Sequence, residues 1–314
     1  MARFARIAGK VLLGLLALLL AVVAWAVVTS QARLNKHWTA HDATFPIPFP
    51  VAGADSGAAL AQAIARGQHL MESQTSCNDC HAADFGGGIV IGKSAVERTL
   101  VGYWAAPNLT GGEGSVTRGF SAHDWDLAVR HGIRHDGRTS SMPSDAFVNL
   151  SDHELSDIVA YIRSRPPVNR DVGKVRLGLI FSFVTATDPK TLPAFLIDHQ
   201  KPHAVEPPAQ VADAQLGAHI AQICSSCHGP NYSGGKIAGD PNMPIVANLT
   251  PDATGIKGWN EGDFLRAMHE GTRPDGTKLK DAMPWRVYGK MSDVELAAVW
   301  AFLSTLPPVP KGKR

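Results

Sequence analysis

Cysteine is scarce in this 314-residue chain, with four in all, and none of them is spare. They fall in Cys77-Asn78-Asp79-Cys80-His81 and Cys224-Ser225-Ser226-Cys227-His228, which leaves no thiol for a disulfide framework elsewhere. Disulfides within the motifs would leave the two following histidines unexplained. Excess charge is also missing. Thirty Lys and Arg stand against 28 Asp and Glu, so no nucleic-acid partner is implied. Long apolar runs are nearly absent, and only residues 11–28 suffice to cross a bilayer. No activated nucleophile, carboxylate pair or phosphate-cradling loop stands out, so no small-molecule substrate is expected.

Each cysteine motif has the c-type haem attachment pattern. Two thiols a short turn apart can add to the two vinyl groups of one porphyrin, and the adjacent histidine is carried to the iron as its proximal ligand. A redox dithiol would need a thioredoxin-like βαβ setting that the flanks do not show. A zinc site would need four ligands at finger-like separations, whereas the pairs lie 147 residues apart (224 minus 77). Two covalently attached haem c groups are therefore expected, one on Cys77, Cys80 and His81, the other on Cys224, Cys227 and His228. Thioether attachment implies export, because it is carried out on the outer side of the bacterial inner membrane or in an equivalent compartment.

Residues 1–30 form a membrane anchor or a signal. Arg3, Arg6 and Lys10 precede the apolar run and place that end in the cytoplasm. As an uncleaved anchor, the preferred reading, the run just spans the hydrocarbon core, with Trp25 near its outer end. As a signal peptide, Ser30-Gln31-Ala32 is a passable cleavage site. Either way the rest lies outside the cytoplasm. Residues 31–52 read as a stalk, because Phe45-Pro46-Ile47-Pro48-Phe49-Pro50 forbids a helix and favours extension. His37 and His41 in it read as solvated rather than as ligands.

Residues 53–167 and 212–308 are two copies of one unit. Gly67 answers Gly217, Asn108-Leu109-Thr110 answers Asn248-Leu249-Thr250, Met142-Pro143 answers Met283-Pro284, and Ser151-Asp152 answers Ser292-Asp293. The offset stays near 140 residues and lengthens only around the haem turns. The first copy is expected to hold helices over 58–73, interrupted at Gly67, and over 121–130, with Ser121 as N-cap. A capping box at Ser151 and Glu154 opens its final helix, and Pro166-Pro167 stop it. In the connection, 168–211, residues 175–184 are too apolar for a free linker and too short for a span. They read as packed across both domains, with a membrane-surface contact as the alternative. Residues 309–314 are a solvated basic tail.

An iron held by one imidazole needs a sixth ligand or stays open. Met142 and Met283 follow their haem histidines by 61 and 55 residues, after Asp-Gly and before the last helix, and are the expected distal ligands. Thioether sulfur favours ferrous iron, so His/Met ligation raises the reduction potential and closes the iron to substrates. Met243-Pro244 shows that Met-Pro alone proves little. His123, His131 and His135 could compete for the first iron, but Gly262, Glu270 and Pro274 stand at the aligned positions. Solvated or hydrogen-bonded surface roles fit them better. Gly67 and Gly217 suit close helix packing opposite Tyr161 and Phe302. Pro107, Asn108, Asn248, Trp125 and Trp259 either line the haems and hold their propionates or are ordinary core and loop residues.

Over residues 58–308 the chain resembles bacterial membrane-anchored di-haem and multi-haem cytochromes c built from class I domains. Ala106-Pro107-Asn108-Leu109-Thr110, the Met-Pro pairs and the Ser-Asp-x-Glu-Leu helix are most similar to the cytochrome c subunits of membrane-bound alcohol, gluconate and aldehyde dehydrogenases. Those subunits often have three haem domains and this chain has two. The resemblance implies an all-α fold, two tandem class I cytochrome c-like domains after one N-terminal transmembrane helix, with His81/Met142 and His228/Met283 as iron ligands. It further implies an electron carrier of the bacterial inner membrane with its haem domains in the periplasm. Its donor would be a dehydrogenase subunit or quinol and its acceptor an oxidase or soluble cytochrome, with no catalytic site of its own. Two alternatives are a di-haem cytochrome c peroxidase, which needs one haem open to hydrogen peroxide, and the two-haem subunit of a respiratory oxidase.

Overall fold

The apolar N-terminal run contains no proline, and in the computed structural model, which describes residues 2–237 and 244–313, it forms one helix, α1 (Ala2–Leu34). The helix passes through the segment expected to begin the stalk. The remainder of the stalk does not hang free either. Phe45 and Phe49 are buried in the core of domain 1, and Ser156 donates to the Pro46 carbonyl at 2.7 Å. The alternate prolines keep the segment extended, as expected, but its aromatic residues find the core.

Domain 1 begins with α2 (Ser56–Leu70), capped by the Asp55 carboxylate on the Ala58 amide. The haem turn is α3 (Cys77–His81). Then come β1 (Gly88–Ile91), α4 (Ala95–Leu100), β2 (Gly102–Ala106), α5 (Ala122–Arg130) and α6 (Asp152–Ser164). Ser121 with Asp124 and Ser151 with Glu154 close capping boxes at the starts of α5 and α6. Domain 2 repeats the plan with α8 (Ala214–His228), α9 (Glu261–Glu270), α10 (Trp285–Tyr288) and α11 (Asp293–Thr305). In each domain the first and last helices cross at a glycine. A Cβ on Gly217 would lie 1.9 Å from the Ala298 carbonyl oxygen and 2.8 Å from Phe302 Cβ. One on Gly67 would lie 2.0 Å from the Asp157 carbonyl oxygen, so the crossing is centred on Asp157 and Ile158 rather than on Tyr161.

The all-α plan carries one addition. Asn108 follows Cys77 by 31 positions, whereas Asn248 follows Cys224 by 24, and the longer spacer in domain 1 folds as β1, α4 and β2. The two strands pair antiparallel, Gly88 opposite Ala106, with a bulge between Ile89 and Ile91. The connection adds β3 (Arg176–Leu177), with Tyr103 opposite Arg176.

The apolar connection does not bridge the two domains. Its α7 (Leu179–Thr187) lies along α1, where Trp25 and Phe183 meet edge to face at 6.3 Å and the Arg33 guanidinium donates to the Thr185 carbonyl. An apolar helix finds more apolar surface on another such helix than on a capped domain. Leu179, Ile180 and Phe183 remain about half exposed beside the equally bare α1.

Domains 1 and 2 meet directly. Ile223, next to Cys224, packs on the domain 1 core that also takes Cys77 and Met142. His69 pairs with Glu295, and His219 with Glu154.

Candidate haem-binding sites

Each haem turn is set up by the helix before it. In domain 2, α8 runs without interruption through Cys224 and Cys227 to His228. In domain 1 the first cysteine comes ten positions after the packing glycine rather than seven. The surplus is taken up by a π-turn at Met71–Thr75 and a left-handed Ser76. Both turns then end alike. Ala82 (φ 63°, ψ 162°) and Gly229 (φ 83°, ψ 163°) break the helix, and the Gly87 and Gly234 amides return to the carbonyls of His81 and His228 at 3.0 and 2.8 Å.

The two histidines are oriented identically. His81 Nδ1 donates to the Pro107 carbonyl and His228 Nδ1 to the Ala247 carbonyl, each at 2.8 Å. That bond fixes the tautomer and puts the ring's lone pair on Nε2, which is how proteins present an imidazole to a metal. Burial holds the His81 pKa below its ordinary value, against the pull of the Pro107 carbonyl, and so favours the neutral, ligating form. Burial likewise pushes the Cys77 thiol up to about 11 and the Cys224 thiol up to about 12. These are protonated thiols, unlike the low-pKa thiolates of redox dithiols.

The Met-Pro loops match as closely. Pro143 (φ −74°, ψ 61°) and Pro284 (φ −77°, ψ 52°) are centres of inverse γ-turns, with the Met142 carbonyl accepting from the Ser144 amide at 2.8 Å and the Met283 carbonyl from the Trp285 amide at 2.7 Å. Met142 lies half-buried on the core cluster that takes Cys77, and Met283 on the one that takes Cys224. Met243 lies outside the described residues. Haem c fits this donor set: two thiols, one imidazole with its lone pair on Nε2 and one thioether per domain. Trp125 Nε1 and Trp285 Nε1 are also buried donors without an acceptor among the described residues.

Asn108 and Asn248 turn out to be architectural. Each is buried, accepts from the amide and hydroxyl of the threonine two residues on, and donates to the chain beyond the last helix, at Val168 and Val309 respectively. Their hydrogen-bonding capacity is used within the protein. Phe85 and Tyr232 were not singled out by the sequence. Both take positive φ (54° and 61°) just after the haem turn and stack edge to face on Tyr161 and Phe302. Their carbonyls accept from the Leu109 and Leu249 amides at 2.8 and 2.9 Å. The signal available was an aromatic at the same distance after each haem histidine.

The other histidines divide. His37 is exposed, and exposed His135 rests on Asp124 at 2.7 Å. His123 is partly buried and its Nδ1 has no partner among the described residues. His131 is fully buried rather than at the surface, and His41 joins it instead of facing solvent. The reason is long-range: residues 199–203 and the segment after α1 fold over the end of α5.

Two repeated domains, each presenting two thiols, an oriented imidazole and a methionine, define a protein built to carry covalent haem. The cytochrome c family model matches residues 64–166 and 214–307, and the chain belongs to the cytochrome c family. A stretch of 115 residues is 35% identical to the cytochrome c subunit of the quinone-type alcohol dehydrogenase of Gluconacetobacter polyoxogenes, covering 34% of this chain and 25% of the relative. The fructose dehydrogenase cytochrome subunit of Gluconobacter japonicus is 23% identical over 270 residues, 78% of this chain and 52% of the relative. A diheme cytochrome c-type protein of Cereibacter sphaeroides is 32% identical over 109 residues, 31% of this chain and 37% of the relative. The matched stretches thus span between a quarter and about half of these relatives' own lengths.

Proposed function

We propose that this chain is a membrane-tethered di-haem electron carrier, with one haem c in each domain. The observation that carries the reading is the duplicated donor set, identical in both domains down to the His Nδ1–carbonyl bond and the Met-Pro γ-turn. When bound, each haem supplies a one-electron iron couple. Cys77 and Cys80, and Cys224 and Cys227, would hold the porphyrins through thioethers. His81 and His228 would ligate through Nε2. Met142 and Met283 would supply the second protein ligand to each iron, a thioether that raises the potential and keeps small ligands away. Ile223 on the domain 1 core brings the second haem turn against the first domain, which supports transfer between the two sites.

α1 is long and apolar enough to span a bilayer, and its outer end is packed against α7. A helix used as a built-in partner supports an uncleaved anchor, with the cationic end in the cytoplasm and the haem domains in the periplasm. The relatives' names support a dehydrogenase as donor, and a respiratory oxidase or soluble cytochrome is the acceptor this arrangement suits.

The test is an absorption spectrum of the purified haem-loaded protein, ferric and ferrous, with and without carbon monoxide. Two low-spin haems per chain, unchanged by carbon monoxide, are the expected result. A high-spin haem that binds carbon monoxide would overturn the closed-carrier reading and point to a peroxidase.

A further inference from the structure

Away from both haem turns, four side chains from three distant segments converge. His41 comes from the segment after the anchor, Asp126 and His131 from the end of α5, and His203 from the interdomain connection. Each offers one donor atom, and these atoms all lie within 4.8 Å of one another. Asp126 and His131 are fully buried. His131 Nε2 lies 3.1 Å from His203 Nε2 and 3.5 Å from Asp126 Oδ2, and His203 Nε2 lies 3.6 Å from Asp126 Oδ1. A tetrahedral zinc ion with bonds of about 2.0–2.1 Å sets its ligand atoms about 3.3 Å apart.

Hydrogen bonding aims lone pairs inward. His199 Nε2 donates to the Ala194 carbonyl at 2.9 Å, so in the neutral ring its Nδ1 is an acceptor. That atom lies 3.1 Å from His131 Nδ1, which therefore donates, leaving the His131 Nε2 lone pair to face the cluster. This is the outer-shell bond that orients a metal-binding histidine. Asp126 Oδ2 is buried and accepts no hydrogen bond among the described residues. Charge points the same way. Fully buried Asp126, at 2.6 Å, shares its Arg130 partner with Asp152, at 2.8 Å, so its charge is not wholly claimed by Arg130 and a cation beside it is favoured.

We propose that His41, Asp126, His131 and His203 form a mononuclear site for a divalent transition metal, zinc being the ion that three imidazoles and a carboxylate in tetrahedral array suit. The ion fastens the segment leaving the anchor and the interdomain connection onto domain 1.

The experiment uses the full-length, haem-loaded protein in detergent, stripped with chelator, given zinc, desalted and assayed for zinc and iron. One zinc per chain is expected. His203→Gln and Asp126→Asn are expected to retain at least tenfold less, with haem spectra unchanged. Should the Asp126 variant lose its haem spectra, His41→Gln, on an extended segment at the edge of the cluster, replaces it. X-ray absorption at the zinc edge is expected to show four nitrogen and oxygen ligands. If the unaltered protein retains no more zinc than the variants, or all retain it equally, the residues form only a hydrogen-bonded cluster and the proposal fails.

Discussion

His69 Nε2 in domain 1 stands 2.9 Å from both carboxylate oxygens of Glu295 in domain 2. The mirror pair, His219 of domain 2 and Glu154 of domain 1, stands at 2.9 and 3.0 Å. Lys290 reaches Glu72, and Asn149 reaches Gln222, in the same crossed sense. Glu154 and Glu295 are also the N3 residues of the capping boxes that open their domains' last helices. One carboxylate thus starts a helix and holds the neighbouring domain.

This pairing makes docking depend on pH. Glu295 is pushed up by burial, but His69 and Ser292 outweigh that and hold it below its ordinary 4.5. Its hydrogen bond to Glu295 lifts His69 above 6.5 in spite of partial burial. A lowered carboxylate contributes stability above about pH 4.5 and loses it as pH falls through its folded pKa. A raised imidazole contributes below about pH 6.5 and loses it as pH rises through its own. Docking is therefore firmest between those limits. With His69 43% exposed, the loss between about pH 5.5 and pH 8 is only about 0.5 kcal/mol. It is read as a fall in the urea midpoint, and His69→Gln is expected to flatten it. An unchanged slope in the variant refutes the assignment.

Met142→Ala and Met283→Ala are each expected to open one iron. About half of the haem should become high-spin and bind carbon monoxide, and the potential of that haem alone should drop. Carbon monoxide difference spectra and a redox titration read both effects. A variant that keeps two low-spin haems removes that methionine from the ligand set.

Gly217→Ala is expected to cost about 2 kcal/mol or more, because its new methyl group meets backbone rather than a side chain that can move. Gly111→Ala, where nothing lies within 4 Å, serves as the control and should change little. Chemical denaturation of the haem-loaded proteins separates the two.

Ala82 occupies backbone space normally left to glycine, and domain 2 has Gly229 at that point. Strain of this kind costs about 1–3 kcal/mol, and part of the relief is offset by the greater freedom of glycine when unfolded. Ala82→Gly should therefore stabilise domain 1 by about 1 kcal/mol with its haem spectrum intact. A lower melting temperature would count against the strain.

The candidate donor residues stand out in the sequence because haem attachment imposes a short, rigid spacing and the duplication repeats it. The caps at Ser121 and Ser151 were legible for the same local reason. His41 and His131 were misread because their burial depends on residues 199–203, which no local pattern links to them. The β1–β2 spacer showed only as extra length. The apolar stretch 175–184 was rightly judged too apolar to be free, but its partner was α1, a choice set by competing surfaces rather than by its own composition.

Crossed contacts of this kind, with the same positions meeting in both directions, are what a twofold dimer presents. Here the two partners share one polypeptide, so dilution cannot part them, and the connecting segment holds each at high effective concentration for the other. A single-domain relative making this contact would lose its second site whenever it was scarce. This chain keeps its two candidate sites paired at any abundance.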